Sequence, residues 1–427
     1  MTIKMKNIKA CFTSKVDFIF QAIIMSLVIF NPPILTFNCI HIIALFSWII
    51  IALNYKNLYL IFNMKYIFKV YIIILVLGVY QLLVSYISSG GYTGVVNYVF
   101  WLFEIIPYCV CVTLYYRKKK YTDQRFFNTV IFAGAIQSIL AVLALTIPEI
   151  KVFFIGKIIS YGYSDVHIKL SLFRNFGLAD ALTFTSSIVQ AMIASLSLFF
   201  YIYKKRIIYF FAFFLCTVGA VINTRTSIVI LLTGMVLLLL FLRKAEMIYR
   251  FIKTFIIISS FIFGSLGMLE SFNDWTYDWL MEGASEIVAF LLADDENQGY
   301  FNYLSLEHMP LPDNVSIITG SGVEIMHGLY GLQSDIGYIN DIWRIGLLAS
   351  VVIYILYFMM IKKFINYKSS LGKFMFCYLL ISAAFINVKG YFFVYNNVTT
   401  MIWILFFYAC CQKEKDDKYN KGNYELI

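Results

Sequence analysis

The sequence predicts an all-α, polytopic membrane protein of about twelve transmembrane helices. Both termini are expected in the cytoplasm, with one long extracytoplasmic loop between the ninth and tenth spans. Three observations carry this. The chain is 61% apolar and only 14% charged, with a mean hydropathy of +0.79. An average soluble domain has about 25% charged residues. Apolar stretches of roughly membrane length follow one another along the chain, and lipid offers no water to an open backbone, so each must be a helix. Lastly, Lys and Arg are distributed unevenly between alternate connections.

The expected spans are residues 17–31, 34–53, 66–87, 97–116, 126–147, 181–203, 207–222, 227–242, 254–270, 342–361, 374–389 and 392–411. The basic N-terminus and first apolar run resemble a signal peptide, but no small-x-small cleavage site follows, so the run reads as an uncleaved first span. With the N-terminus inside, 27 of the 34 basic residues fall in inner segments. The remaining seven, Lys151, Lys157, Lys169, Arg174, Arg225, Arg344 and Lys389, fall outside. The net charge of +10 therefore expresses orientation in the membrane rather than affinity for nucleic acid. Eight cysteines lie in or beside apolar runs or near the N-terminus, and none falls in residues 254–343, which argues against a disulfide framework or a thiolate metal site.

Two outer connections are long: a basic one over residues 148–180 and an acidic one over 271–341. Between Lys253 and Arg344 there are 13 acidic residues and no basic one. Long connections tend to carry function, so the working face is expected outside. Asp274, Asp278, Glu282 and Glu286 recur every four residues, which predicts an interfacial amphipathic helix over about 273–292 with a solvated acidic face.

A cation on the outer side runs against the orientation rule and needs a reason. Arg174 lies in "RNFG", Arg225 in the turn "NTRTS", Arg344 in "WRIG" and Lys389 in "NVKG". Lys389 is interfacial if the chain turns at Lys389-Gly390, and lies within the bilayer if it turns at Asn396-Asn397. Guanidinium forks grip phosphate oxygens in pairs, and lysine adds a point charge. These four could converge on a lipid pyrophosphate; each could equally snorkel to headgroups or pair with an acid. Asp335, Glu324 and His327, in the last stretch before the tenth span, could take a proton from a sugar hydroxyl. Asp335 could instead be a helix cap. Aromatic rings such as Tyr338 could stack on glycan. No Walker loop, dinucleotide fingerprint, HExxH or Cys/His zinc spacing is present, so no cofactor or metal is expected.

The elements "RNFG" 174–177, "NTRTS" 223–227, "GSGVE" 320–324, "SDIGYINDIWRIGLL" 334–348 and "NVKG" 387–390, in this order around a long late loop, resemble the bacterial O-antigen and capsular polysaccharide polymerases of Wzy type. The arginine of "WRIG" departs from what related chains often carry there. The resemblance implies a cytoplasmic-membrane glycosyltransferase that joins undecaprenyl-pyrophosphate-linked oligosaccharides at the outer leaflet, without nucleotide sugar or obligatory metal. It implies a chain-length regulator as partner. An O-antigen ligase has similar architecture. A flippase would instead line a central cavity with charge and keep its loops short.

Overall fold

The structure is a computed structural model. It describes residues 2–34, 37–57, 65–88, 91–160, 174–175, 177, 179, 184–272, 276–278, 280–283, 285, 309–323, 325, 334, 336–366, 370–390 and 394–424. Among these the chain is helical, apart from one two-residue antiparallel pair, Pro33–Ile34 with Phe37–Asn38. Every one of the twelve apolar segments carries a helix. Among the described residues six helices are long and apolar enough to cross a membrane: Tyr66–Ile87, Gly94–Lys118, Asp123–Thr146, Thr185–Lys204, Gly337–Ile365 and Ser370–Val388. Cys39–Leu53, Ile207–Val221, Arg225–Phe241 and Asn397–Cys410 are apolar but shorter. At 1.5 Å per residue, a 15-residue helix covers about 22 Å of a hydrocarbon layer about 30 Å thick.

The chain forms two compact units, Met1–Ile40 with Lys119–Leu280, and His41–Lys118 with Met281–Ile427. In the first, α1 (Thr2–Phe30) lies against α2 (Asp123–Thr146). Asp17 ties the two: it accepts from Arg125 at 2.7 Å, from Tyr121 at 2.5 Å and from Gln21 at 2.8 Å. The residues after α2, expected as loop, begin with a further helix, α3 (Pro148–Ser160). The unit's centre is α4 (Thr185–Lys204), buried along almost its whole length among α2, α5 (Ile207–Val221) and α6 (Arg225–Phe241). Small residues permit this. A Cβ on Gly134 would stand 2.7 Å from Ile193, and one on Gly219 would stand 2.8 Å from Ser138 Oγ, so the backbones approach as only glycine allows. Lys205, in the left-handed region at φ +59°, ends α4 and turns the chain back.

In the second unit, α7 (Cys39–Leu53) and α8 (Lys65–Ile87) precede a helix that changes pitch. Thr93–Phe100 and Ile106–Lys118 are α-helical, but Trp101–Ile105 between them is a π-turn. The Trp48 indole donates to the Phe103 carbonyl in that turn at 2.8 Å, and Glu104 meets His41 Nδ1 at 2.6 Å. Extra polar partners of this kind are what a wider turn makes available. Trp101 clusters in the core with Tyr357 and Trp403, its ring centroid 6.4 Å from each, and with Tyr98 at 5.4 Å.

The helix Gly337–Lys362 is two helices across a kink at Gly346, which has φ +74°. Its break is filled from the preceding connection. Asp313 caps the short helix Asn314–Thr319 through the Ser316 amide, and the chain then presents Gly320-Ser321-Gly322 to the break. The Ser321 amide donates to the Trp343 carbonyl at 2.7 Å, and the Gly322 amide to the Arg344 carbonyl at 3.2 Å. A kink at glycine leaves carbonyls without their helical donors, and these two amides replace them. Tyr80 donates to the Thr319 carbonyl at 2.6 Å, and Trp343 Nε1 to the Pro310 carbonyl at 2.8 Å. Val323, Ile325, Ile336 and Ile339 close an apolar cluster beside it. Of the acidic connection, residues 276–278 and 280–283 are helical, with Asp278 and Glu282 exposed; Asp274 and Glu286 lie outside the described residues.

Candidate functional site

In the first unit the turn between α5 and α6 holds an arginine pair. Thr224 caps α6, its Oγ1 accepting from the Ser227 amide at 3.2 Å, and Ser187 of α4 donates to the same hydroxyl. Arg225 is therefore the first residue of α6. Asn223 reaches both ways: its Nδ2 donates to the Gly219 carbonyl at 2.7 Å, and its Oδ1 accepts from the Asn175 backbone amide at 2.7 Å. That bond pins the segment carrying Arg174 beside the turn carrying Arg225. Gly177, at φ +58°, lets the same segment approach α2, where a Cβ would stand 3.0 Å from the Ala141 nitrogen and 3.2 Å from Gln137 Nε2.

The Arg174 guanidinium senses its neighbour. Burial, and secondarily the nearby Arg225 charge, pull it down from the usual arginine range to about 10. It stays protonated at neutral pH. A helix N-terminus favours negative charge, so Arg225 sits where a cation is least welcome. Two cations and a helix start in one place suit an anion with several oxygens, and phosphate is the commonest such group.

The second unit holds a different polar group. Asp341 and Arg344 are both fully buried, and Arg344 Nη2 donates to Asp341 Oδ1 at 3.1 Å. The other carboxylate oxygen accepts from Tyr354 at 3.0 Å and from Asn387 at 3.3 Å. Gln81 donates to the Arg344 carbonyl at 3.3 Å, and Gly94 leaves the Arg344 stem room that a Cβ would take. Arg344, expected on phosphate, thus makes the other choice open to it and pairs with an acid.

Lys389 is the last residue of the helix Ser370–Lys389 and the next helix begins at Asn397; residues 391–393 between them lie outside the described residues. Tyr338 lies in the first turn of the kinked helix, its hydroxyl donating to the Ala384 carbonyl at 3.2 Å and its ring 5.8 Å from that of Tyr354. Asp335, Glu324 and His327 lie outside the described residues. Arg174 and Arg225 are brought together in the first unit; Arg344 and Lys389 belong to the second.

Sequence reasoning missed Asp341, Asn387, Asn223 and Asn175 as partners. The spacing of Asp341 and Arg344, three apart, was the one visible signal, since residues at that interval share a helix face. No protein-family model, curated protein or solved structure matches this chain.

Proposed function

We propose that the protein is a polysaccharide polymerase of the bacterial cytoplasmic membrane, joining undecaprenyl-pyrophosphate-linked repeat units at the outer face. The reading takes about twelve spans with both termini inside, which puts Arg174 and Arg225 on the outer side. The observation that carries it is the arginine pair at the start of α6: two cations, one of them mostly buried, held together by Asn223. In glycan transfer the acceptor hydroxyl oxygen bonds to the donor's anomeric carbon, the carbon–oxygen bond to pyrophosphate breaks, and the pyrophosphate leaves with the electron pair. A base takes the hydroxyl proton. Charge builds on the departing phosphate, and cations already in place stabilise it without reorganising. Arg174 and Arg225 fill that role.

The test is a gel of surface polysaccharide from the native host. Deletion of the gene should collapse the ladder to a single repeat on its usual acceptor, and complementation should restore it. Arg174→Ala and Arg225→Ala, at matched protein levels, should fail to restore it. Full-length ladders from both variants would remove the phosphate assignment. Lipid-linked polymer with an empty final acceptor would make the protein a ligase.

A further inference from the structure

Asn175 is held by its backbone and idle in its side chain. Its amide N–H is fixed by Asn223 Oδ1, and that asparagine is fixed in turn on Gly219. The side chain is 1% exposed, yet neither Nδ2 nor Oδ1 has a partner among the described residues. Gln190 Nε2, also buried, is in the same condition. It lies 3.0 Å from the position a Cβ on Gly219 would occupy, against the very residue whose carbonyl anchors Asn223. Buried polar atoms are nearly always paired, and an asparagine with both ends orphaned next to an arginine pair calls for a ligand.

We propose that Asn175 is a specificity-determining residue of the Arg174–Arg225 site, one that prefers a glycosyl phosphate to a bare phosphate. The inference rests on the phosphate reading above and adds to it. A phosphate oxygen accepts hydrogen bonds, so it pairs with Asn175 Nδ2 and is attracted by the two guanidinium charges. It offers nothing to Asn175 Oδ1, the other unpaired atom of this side chain, which needs a donor. A hydroxyl or amide N–H on the sugar carbon beside the anomeric position supplies one. A site built to pair with such a donor rejects the analogue lacking it, because the acceptor is then left buried and unpaired.

The experiment uses the full chain in lipid nanodiscs and two probes, undecaprenyl pyrophosphate and the same lipid carrying one N-acetylglucosamine. Wild type should bind the glycosylated lipid about tenfold more tightly. Asn175→Leu, of similar size without polar atoms, and Asn175→Ala should abolish that ratio: both lipids lose the bond from Nδ2 to phosphate, and the glycosylated lipid loses in addition the bond to Oδ1, about a further tenfold. With no lipid added, Asn175→Leu should not lower the melting temperature, since its side chain has no hydrogen-bond partner among the described residues. Equal binding of the two lipids by wild type, as a bridging water would give, overturns the proposal. So does a ratio preserved in both variants, or a fall in the melting temperature of Asn175→Leu without lipid. If Arg225→Ala weakens both lipids alike while the Asn175 variants keep the ratio, only the role of Asn175 fails. If wild type binds neither lipid, the phosphate reading fails and Asn175 falls with it.

Discussion

Arg344 and Asp341 face each other across 3.1 Å, three residues apart, each completely out of reach of solvent. The pair lies in a helix apolar enough to cross a membrane, where a lone charge is costly. Tyr354 and Asn387 occupy the second carboxylate oxygen, so the acid is bound from three sides.

Breaking this pair should be worse than removing it. Asp341→Ala or Arg344→Ala leaves an uncompensated buried charge and should destabilise by about 3–5 kcal/mol. The double variant should be much closer to wild type than the sum of the singles. Thermal unfolding in detergent over the full double-mutant cycle measures this, and additive losses would contradict it.

The kink has its own prediction. Gly346→Ala should destabilise by about 1–3 kcal/mol from backbone conformation alone, because φ +74° with an extended ψ suits glycine. It should lose more from overlap with the Ile318 carbonyl. Gly320→Ala, whose Cβ would lie 2.6 Å from the Gly346 nitrogen, should behave alike. Limited proteolysis of the 309–325 segment should speed up in both variants. Unchanged cleavage would mean that the Gly320–Gly322 clasp does not hold the segment.

Arg225 should trade stability for function. It stands at the positive end of α6 and beside a second guanidinium, two unfavourable placements. Arg225→Gln should relieve about 0.3–1 kcal/mol of unfavourable charge at the start of α6, so the melting temperature should fall less than a loss of polymer would suggest if the residue acts in binding. A clear drop in melting temperature would assign the residue a structural role.

Anion binding should weaken as pH rises through about 10, where Arg174 gives up its proton. The sign for stability is the reverse. The folded state holds this proton less tightly than the unfolded chain does, so the charged side chain costs stability at neutral pH, and that cost disappears as pH rises from about 10 towards the usual arginine range. Titration calorimetry with inorganic pyrophosphate checks the first effect. Affinity constant up to pH 11 would exclude Arg174 from the contact.

The helices could be read from the chain because length and apolarity leave the backbone one solution in lipid. Their irregularities could not. The π-turn at Trp101–Ile105 and the break at Gly346 lie in apolar runs whose periodicity does not register an inserted residue or a single positive φ. The helix Pro148–Ser160 was readable: proline at its first position with Glu149 in the first turn is a start signal, but its basic residues and its place after a span suggested a loop. Arg174 and Arg225 could be named as cations set against the expected charge bias, yet their closeness depends on an Asn223 side chain 48 residues from the backbone it holds. Asn175 gave no signal at all, because an asparagine beside an arginine looks like ordinary loop chemistry until its burial is known.

The clasp of Gly320–Gly322 on the broken helix also bears on how such a chain can diversify. A connection pinned once along its length behaves as two independent tethers. Insertions or exchanges of residues ahead of Pro310 can accumulate without disturbing the register of the helix that begins at Gly337, because the amides of Ser321 and Gly322 fix that register locally. Sequence change on one side of the clasp is thereby uncoupled from the geometry on the other, which gives the chain a place to vary without loss of its fold.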